Sequence, residues 1–154
     1  DFARELDFNP QKQNLDLYSG AGLFSATIST VFPDAKFLAI ESSKQAIEDG
    51  EKSAQDLANL RFHQADVLKY LRSQTAGTFD TIILDPPRSG AANKVVEQLV
   101  RLNPQNLIYV ACDPVALARD LKTLGAAGYK LQQIRAFDIF PHTHHFETVV
   151  ALSR

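Results

Sequence analysis

Four groups of residues in this sequence carry usable chemistry. Cys112 is the chain's single cysteine, and it directly precedes Asp113-Pro114, a pair suited to cap and open a helix. A thiol placed there faces the positive end of the helix dipole, which favours the nucleophilic thiolate; the competing reading is a buried, inert cysteine. The apolar run from Phe79 is stopped by Pro86 and Pro87, so Asp85 is presented rigidly at its end, as a turn cap or as a working carboxylate. In Asp16-Leu17-Tyr18-Ser19-Gly20-Ala21-Gly22, the two glycines let the backbone turn sharply and approach a ligand. Glu41 follows about 20 residues on, where a carboxylate can accept from ribose hydroxyls, and the set points to an adenosine-type ligand. Asp66 reads equally as a contact to an adenine edge or as the cap of the next helix. Glu147 comes last, behind His142, His144 and His145. No second ligand cluster with structural-site spacing accompanies those histidines, so no metal is expected.

The elements that must position these groups follow an alternating pattern. Apolar or β-branched runs at 14–18, 36–41, 60–63, 79–85, 107–112, 132–138 and 146–152 read as seven strands. Segments of helical period at 23–32, 44–59, 67–73, 93–102 and 114–127 lie between them. This is an α/β, doubly wound pattern with a mostly parallel sheet. Only a short segment, 140–145, separates the last two strands, too little for a helical crossover, so they are expected to pair antiparallel.

Composition narrows the class further. With 154 residues, 45% hydrophobic and 22% charged, the chain suits one globular domain over 1–154 that needs no disulfide or metal staple. Its 16 basic and 18 acidic residues leave a net charge of −2, so no large positive field is available to hold a polyanion non-specifically. No apolar run approaches the roughly 18 residues of a membrane span, and the opening Asp1-Phe2-Ala3-Arg4-Glu5 is unlike a signal peptide, so a cytoplasmic location is expected. The absence of Met leads to the expectation that the chain is part of a longer protein with an upstream domain.

Two cofactor classes fit the glycine loop. A nicotinamide site wants a further small residue, which Ser25 imitates, and a diphosphate at the helix N-terminus. A methyl-donor site wants an acid four residues before the first glycine, which Asp16 supplies.

Taken together, Asp16 to Gly22, Asp85-Pro86-Pro87-Arg88, Tyr109-Val110-Ala111-Cys112-Asp113-Pro114 with Leu117-Ala118-Arg119-Asp120, and Phe140-Pro141-His142-Thr143 ending in Glu147 resemble the RNA uracil-5-methyltransferases. The match runs from about Asn14 to the end, with the motifs in order. The resemblance implies the fold of class I S-adenosylmethionine-dependent methyltransferases, with an antiparallel last strand. It implies Cys112 as the nucleophile, Glu147 as the base, and Asp85 as a group that orients the uracil or the methionine end of the cofactor. Tyr18, Gly20, Gly22, Glu41, Asp66 and Asp85 match cofactor-contacting positions, the cofactor being S-adenosyl-L-methionine. The implied partner is rRNA or tRNA, gripped by an upstream RNA-binding domain or by a local patch near Arg88, Arg119 and Lys122. The sequence departs from the family at Asp113, where asparagine is usual, and at Leu23, where relatives place a polar residue. The family's upstream glutamine contact to the cofactor has no clear counterpart before Asn14. The rival readings are an exocyclic-amine methyltransferase, in which Cys112 is incidental, and a non-catalytic cofactor- or RNA-binding module.

Overall fold

The computed structural model describes residues 8–138 and 146–154. In chain order the elements are β1 (Gln13–Leu17), α1 (Leu23–Val31), β2 (Lys36–Glu41), α2 (Lys44–Ser53), β3 (Leu60–Gln64), α3 (Val67–Arg72), β4 (Phe79–Leu84), α4 (Asn93–Leu102), β5 (Asn106–Ala111), α5 (Pro114–Ala126), β6 (Lys130–Phe137) and β7 (Glu147–Ser153). They form one seven-stranded sheet in the order β3-β2-β1-β4-β5-β7-β6. Strands β1 to β5 pair parallel, and β7 runs antiparallel to both neighbours, β5 and β6. The expected α/β architecture with an antiparallel last strand is therefore present.

Period-two alternation sorts the central strands onto two faces. Leu15, Leu17, Ile82, Leu84, Leu107, Tyr109, Val150 and Leu152 join the core beneath α3, α4 and α5. Their alternates Phe37, Ala39, Ile83 and Ile108 join a second core with Ile28 of α1, Ala54 and Phe8. Every residue of β4 is buried, as expected of a strand covered on both sides. Beside it, β1 steps two residues while β4 steps three, and Asn14 makes good the irregularity. Its amide accepts from Thr81 N–H at 3.2 Å and donates to Lys36 C=O at 3.0 Å, tying β1 to both neighbours.

One helix differs from expectation. The sequence pattern predicts α2 over 44–59, but it ends at Ser53. The helix-favouring residues that follow are drawn into turns because Asn59 is claimed elsewhere. Its side-chain amide donates to Ser29, Phe32 and Ala35 carbonyls at 3.2, 3.1 and 2.9 Å, and its own carbonyl receives Phe37 N–H at 2.8 Å. Tertiary hydrogen bonds at the foot of α1 thus override local propensity.

Among the described residues, no helix is long and apolar enough to cross a membrane. The Phe140-Pro141-His142-Thr143 motif and the three histidines lie outside the described residues.

Candidate active site

The carboxyl ends of β1, β2 and β3 gather the first set of predicted residues. Leaving β1, the chain takes left-handed backbone at Tyr18 (φ 59°), Gly20 (φ 54°) and Gly22 (φ 80°), the last being the residue at which α1 begins. Gly22 makes no side-chain cap, and a Cβ there would lie 2.6 Å from the Phe62 ring, so only glycine fits. Asp16 does part of a cap's work from below. Its Oδ2 accepts Ser25 N–H at 3.1 Å, while its Oδ1, equally buried, has no partner. Burial pushes the Asp16 carboxyl up to about 6 against the bonds from Ser25, with a further rise from the charge of Asp85.

Glu41, at the end of β2, reaches across to this loop. Its Oε2 accepts Gly20 N–H at 3.1 Å, and its Oε1 accepts Ser43 N–H at 2.8 Å and the Ser42 hydroxyl at 3.0 Å. Partial burial opposes its ionisation, but the bonds from Ser43, Gly20 and Ser42 outweigh it and hold the carboxyl below the usual glutamate value. Ala65 N–H donates to Glu41 C=O at 2.9 Å, which brings Asp66 alongside. Asp66 is the N-cap of α3, its Oδ1 accepting Lys69 N–H at 2.8 Å, so the capping role foreseen for it is real. Burial, then the charges of Asp66 and Asp120, push the Tyr18 phenol up to about 12. Tyr18, Gly20, Gly22, Glu41 and Asp66 thus share one edge.

The second set gathers at the ends of β4, β5 and β7. Asp85 stays in the ladder through its N–H to Leu17 C=O at 3.3 Å, and Pro86-Pro87 then turns the chain away. Asp85 presents surface to solvent, yet the protein packed around it desolvates its carboxyl and, with the charge of Glu147, raises it to about 6. The last rung between β5 and β7 joins Ala111 to Thr148, so Cys112 and Glu147 each stand one residue beyond it. The antiparallel direction of β7 is what does this, because it delivers the beginning of β7 to the edge where the parallel strands end. Cys112 is half-buried and lines a narrow crevice with Pro86, Pro87, Arg88 and Asp113. Asp113 caps α5, its Oδ1 accepting Ala116 N–H at 2.7 Å. The predicted nucleophile, base and orienting carboxylate therefore meet at one edge of the sheet.

Sequence reasoning gave Asp120 no role of its own. Asp120 is 1% exposed, and Arg119 is paired with it: Nε and Nη2 donate to Asp120 Oδ1 at 2.9 and 2.8 Å, and Nη2 also donates to Ser89 C=O at 2.9 Å. Within the expected patch of Arg88, Arg119 and Lys122, Arg119 is thus ion-paired while its side chain stays half exposed. A signal was present, since Asp120 falls on the same helical stripe as buried Leu117 and Leu124. Within the described residues, no group of three or more His, Cys, Asp or Glu could hold a metal ion.

The family profile described as tRNA (Uracil-5-)-methyltransferase matches residues 1–154. The chain belongs to the tRNA (uracil-5-)-methyltransferase family. Among its relatives is an uncharacterized RNA methyltransferase of Thermotoga maritima, 44% identical over 140 residues that make up 90% of this chain and 31% of that protein. Another, from Streptomyces avermitilis, is 46% identical over 139 residues, 90% of this chain and 32% of the relative. The chain thus spans about a third of the length of the curated family members it matches. The solved Pyrococcus abyssi tRNA (uracil-54, C5)-methyltransferase, in complex with S-adenosyl-L-homocysteine, superposes with a TM-score of 0.78 at 34% identity, covering 92% of this chain and 34% of that one. The Geobacter metallireducens precorrin-6y C5,15-methyltransferase (TM-score 0.73, 13% identity, 97% and 83% covered) shares the fold alone.

Proposed function

We propose that this chain is the catalytic part of a longer S-adenosylmethionine-dependent enzyme that methylates carbon 5 of a uridine in tRNA or rRNA. The observation that carries the reading is the placement of Glu147 one residue past the rung beside Cys112, with its charge felt at Asp85. Family membership supports it.

The residues at the ends of β1 to β3 suit the cofactor. Asp16, Glu41, Asp66 and Asp85 make this edge acidic, which repels a diphosphate and suits a ligand carrying a sulfonium and an ammonium group. The unpartnered Asp16 Oδ1 is a further mark of a ligand site. Glu41 would hold the ribose, Asp66 and Tyr18 the adenosine side, and Gly20 and Gly22 would let the backbone come close. When bound, S-adenosylmethionine supplies an electrophilic methyl group.

The chain's own residues would do the rest. Carbon 5 of uracil is a weak nucleophile. The Cys112 thiolate would add to carbon 6, forming a C–S bond and moving the ring's electron pair toward carbon 5 and O4. After carbon 5 has gained its methyl group, it still carries its hydrogen. Glu147 would remove that proton, the electron pair would re-form the 5,6 double bond, and the C–S bond would break to return the thiolate. Asp85 would orient the ring from the Pro86-Pro87 turn. A uridine inside folded RNA must first be unstacked, at a cost of a few kcal/mol. With a net charge of −2, this part offers little grip on phosphate, so the remainder of the longer protein would supply it.

The test is to incubate the full-length protein with S-adenosylmethionine and RNA carrying 5-fluorouridine at the target. Because fluorine cannot leave as a proton, a protein–RNA band that survives denaturation is expected. Methyl transfer to RNA without that band, or with methylation on an exocyclic amine, would overturn the reading.

A further inference from the structure

The strongest unexplained feature is a fully buried carboxylate that touches neither solvent nor the proposed reacting groups. Asp120 Oδ2 accepts the Tyr109 hydroxyl at 2.6 Å and Ala91 N–H at 2.9 Å, while Oδ1 takes the two bonds from Arg119. Ala91 N–H is shared with Tyr109 Oη at 3.0 Å, and Arg119 reaches on to Ser89 C=O. Between those two contacts lies Gly90 (φ 83°), where a Cβ would come within 2.5 Å of Arg119 Nη2 and 2.7 Å of Asp120 Oδ2. Three segments meet in this knot: β5 three residues before Cys112, the helix that starts directly after Asp113, and the loop that leaves Asp85.

An ion pair between a buried carboxylate and a half-exposed guanidinium is a poor source of net stability, because the desolvation of Asp120 and the solvent around Arg119 consume most of the attraction. Its value lies in fixing geometry. The knot joins the strand and helix that flank Cys112 to the turn that carries Asp85, and its bonds are directional and saturated. Nothing else in the described hydrogen bonds ties the loop at 89–91 to α5.

We propose that Tyr109, Asp120 and Arg119 are positioning residues for the methylation reaction, a clamp that sets the spacing between the Cys112 sulfur and the Asp85 turn. This rests on the covalent reading above. A misplacement of about 1 Å between reacting groups can cost on the order of 10²-fold in rate, so the clamp should act on the chemical step rather than on cofactor binding.

The experiment measures the rate of covalent adduct formation on 5-fluorouridine RNA, at saturating cofactor, for the full-length protein and its Asp120→Asn, Tyr109→Phe, Arg119→Ala and Arg119→Lys variants. Dissociation constants for S-adenosylhomocysteine and thermal midpoints are read in parallel. Asp120→Asn is expected to slow adduct formation about 10²-fold and Tyr109→Phe, which removes only a hydroxyl, about 10-fold, with cofactor affinity within about 3-fold of wild type. Arg119→Lys should recover part of the rate lost in Arg119→Ala. Should Asp120→Asn fail to fold, Tyr109→Phe alone decides. Folded variants that form adduct at the wild-type rate, whatever their thermal midpoints, overturn the clamp. A wild-type protein that forms no adduct overturns the covalent reading beneath it.

Discussion

The half of the sheet built on β1, β2 and β3 and the half built on β4, β5 and β7 assemble their ends by different means. The first works with local connections: Asp16 supports Ser25 nine residues on, and Glu41 receives Gly20 from 21 residues back. Its edge is left-handed backbone at Tyr18, Gly20 and Gly22 with carboxylates at the strand ends. The second half depends on distance. Ala91 is held by Asp120 from 29 residues away and Ser89 by Arg119 from 30, while Cys112 and Glu147 come to the same edge only because β7 enters the sheet in the reverse direction. A site for a small cofactor can be written into one turn and the strand beside it. A site that must place a nucleophile and a base around one flat ring needs groups from separate strands, and topology has to supply them.

Substitutions should separate the two halves cleanly. The largest effect is expected for Cys112→Ala, which should lower RNA methylation at least about 10³-fold while S-adenosylhomocysteine binding, followed by calorimetry, stays within about 2-fold. Undiminished methylation would remove the chemical half from the account. Gly22→Ala should give the converse pattern. Its left-handed backbone and the encroachment on Phe62 cost about 1–3 kcal/mol in the native loop; a loop that shifts to relieve them must be returned to its place on binding, so cofactor affinity should fall by up to about 10- to 100-fold, and saturating cofactor should restore most of the adduct rate. A loss of rate that excess cofactor does not restore would mean that the halves are not separable.

The smallest effect concerns pH and stability. The Asp16 carboxyl titrates at about 6 in the folded protein against an ordinary value of 3.8. Between those values the folded state holds a proton that the unfolded state has released. The favourable contribution is therefore complete below about 4 and lost as pH rises through about 6, a change on the order of 2–3 kcal/mol. Urea unfolding of wild type and Asp16→Asn at pH 4.5 and pH 7 should show the variant losing less stability on the way up. Equal losses would show that Asp16 is ionised without penalty, and that the cofactor half does not store the cost assigned to it.

Legibility in the sequence followed the same division. Strand positions, the parallel order and the antiparallel return were readable because period-two runs, proline stops and a short final connection are local signals. The glycine loop and the rigid presentation of Asp85 were readable for the same reason. The early end of α2 was not, since it depends on Asn59 bonding to carbonyls 24 to 30 residues away. Asp66 shows a limit of another kind: its capping bond to Lys69 is plain and engages one oxygen, so the cap does not decide between the two readings the sequence offered. Arg119 looked like a phosphate ligand because exposed arginines usually are available. Its partner Asp120 sat in the apolar stripe of α5 and could have warned that part of the guanidinium is taken up by an ion pair.

Cys112 and Glu147 are proposed to act on one ring, and one measurement reaches both. Glu147→Gln in the full-length protein, given S-adenosylmethionine and RNA with an ordinary uridine at the target, should stop after methyl transfer, because nothing removes the remaining hydrogen from carbon 5. Digestion and mass spectrometry should then find the methylated nucleotide attached to the peptide containing Cys112. Normal release of 5-methyluridine by Glu147→Gln, or attachment at any other residue, would contradict the account.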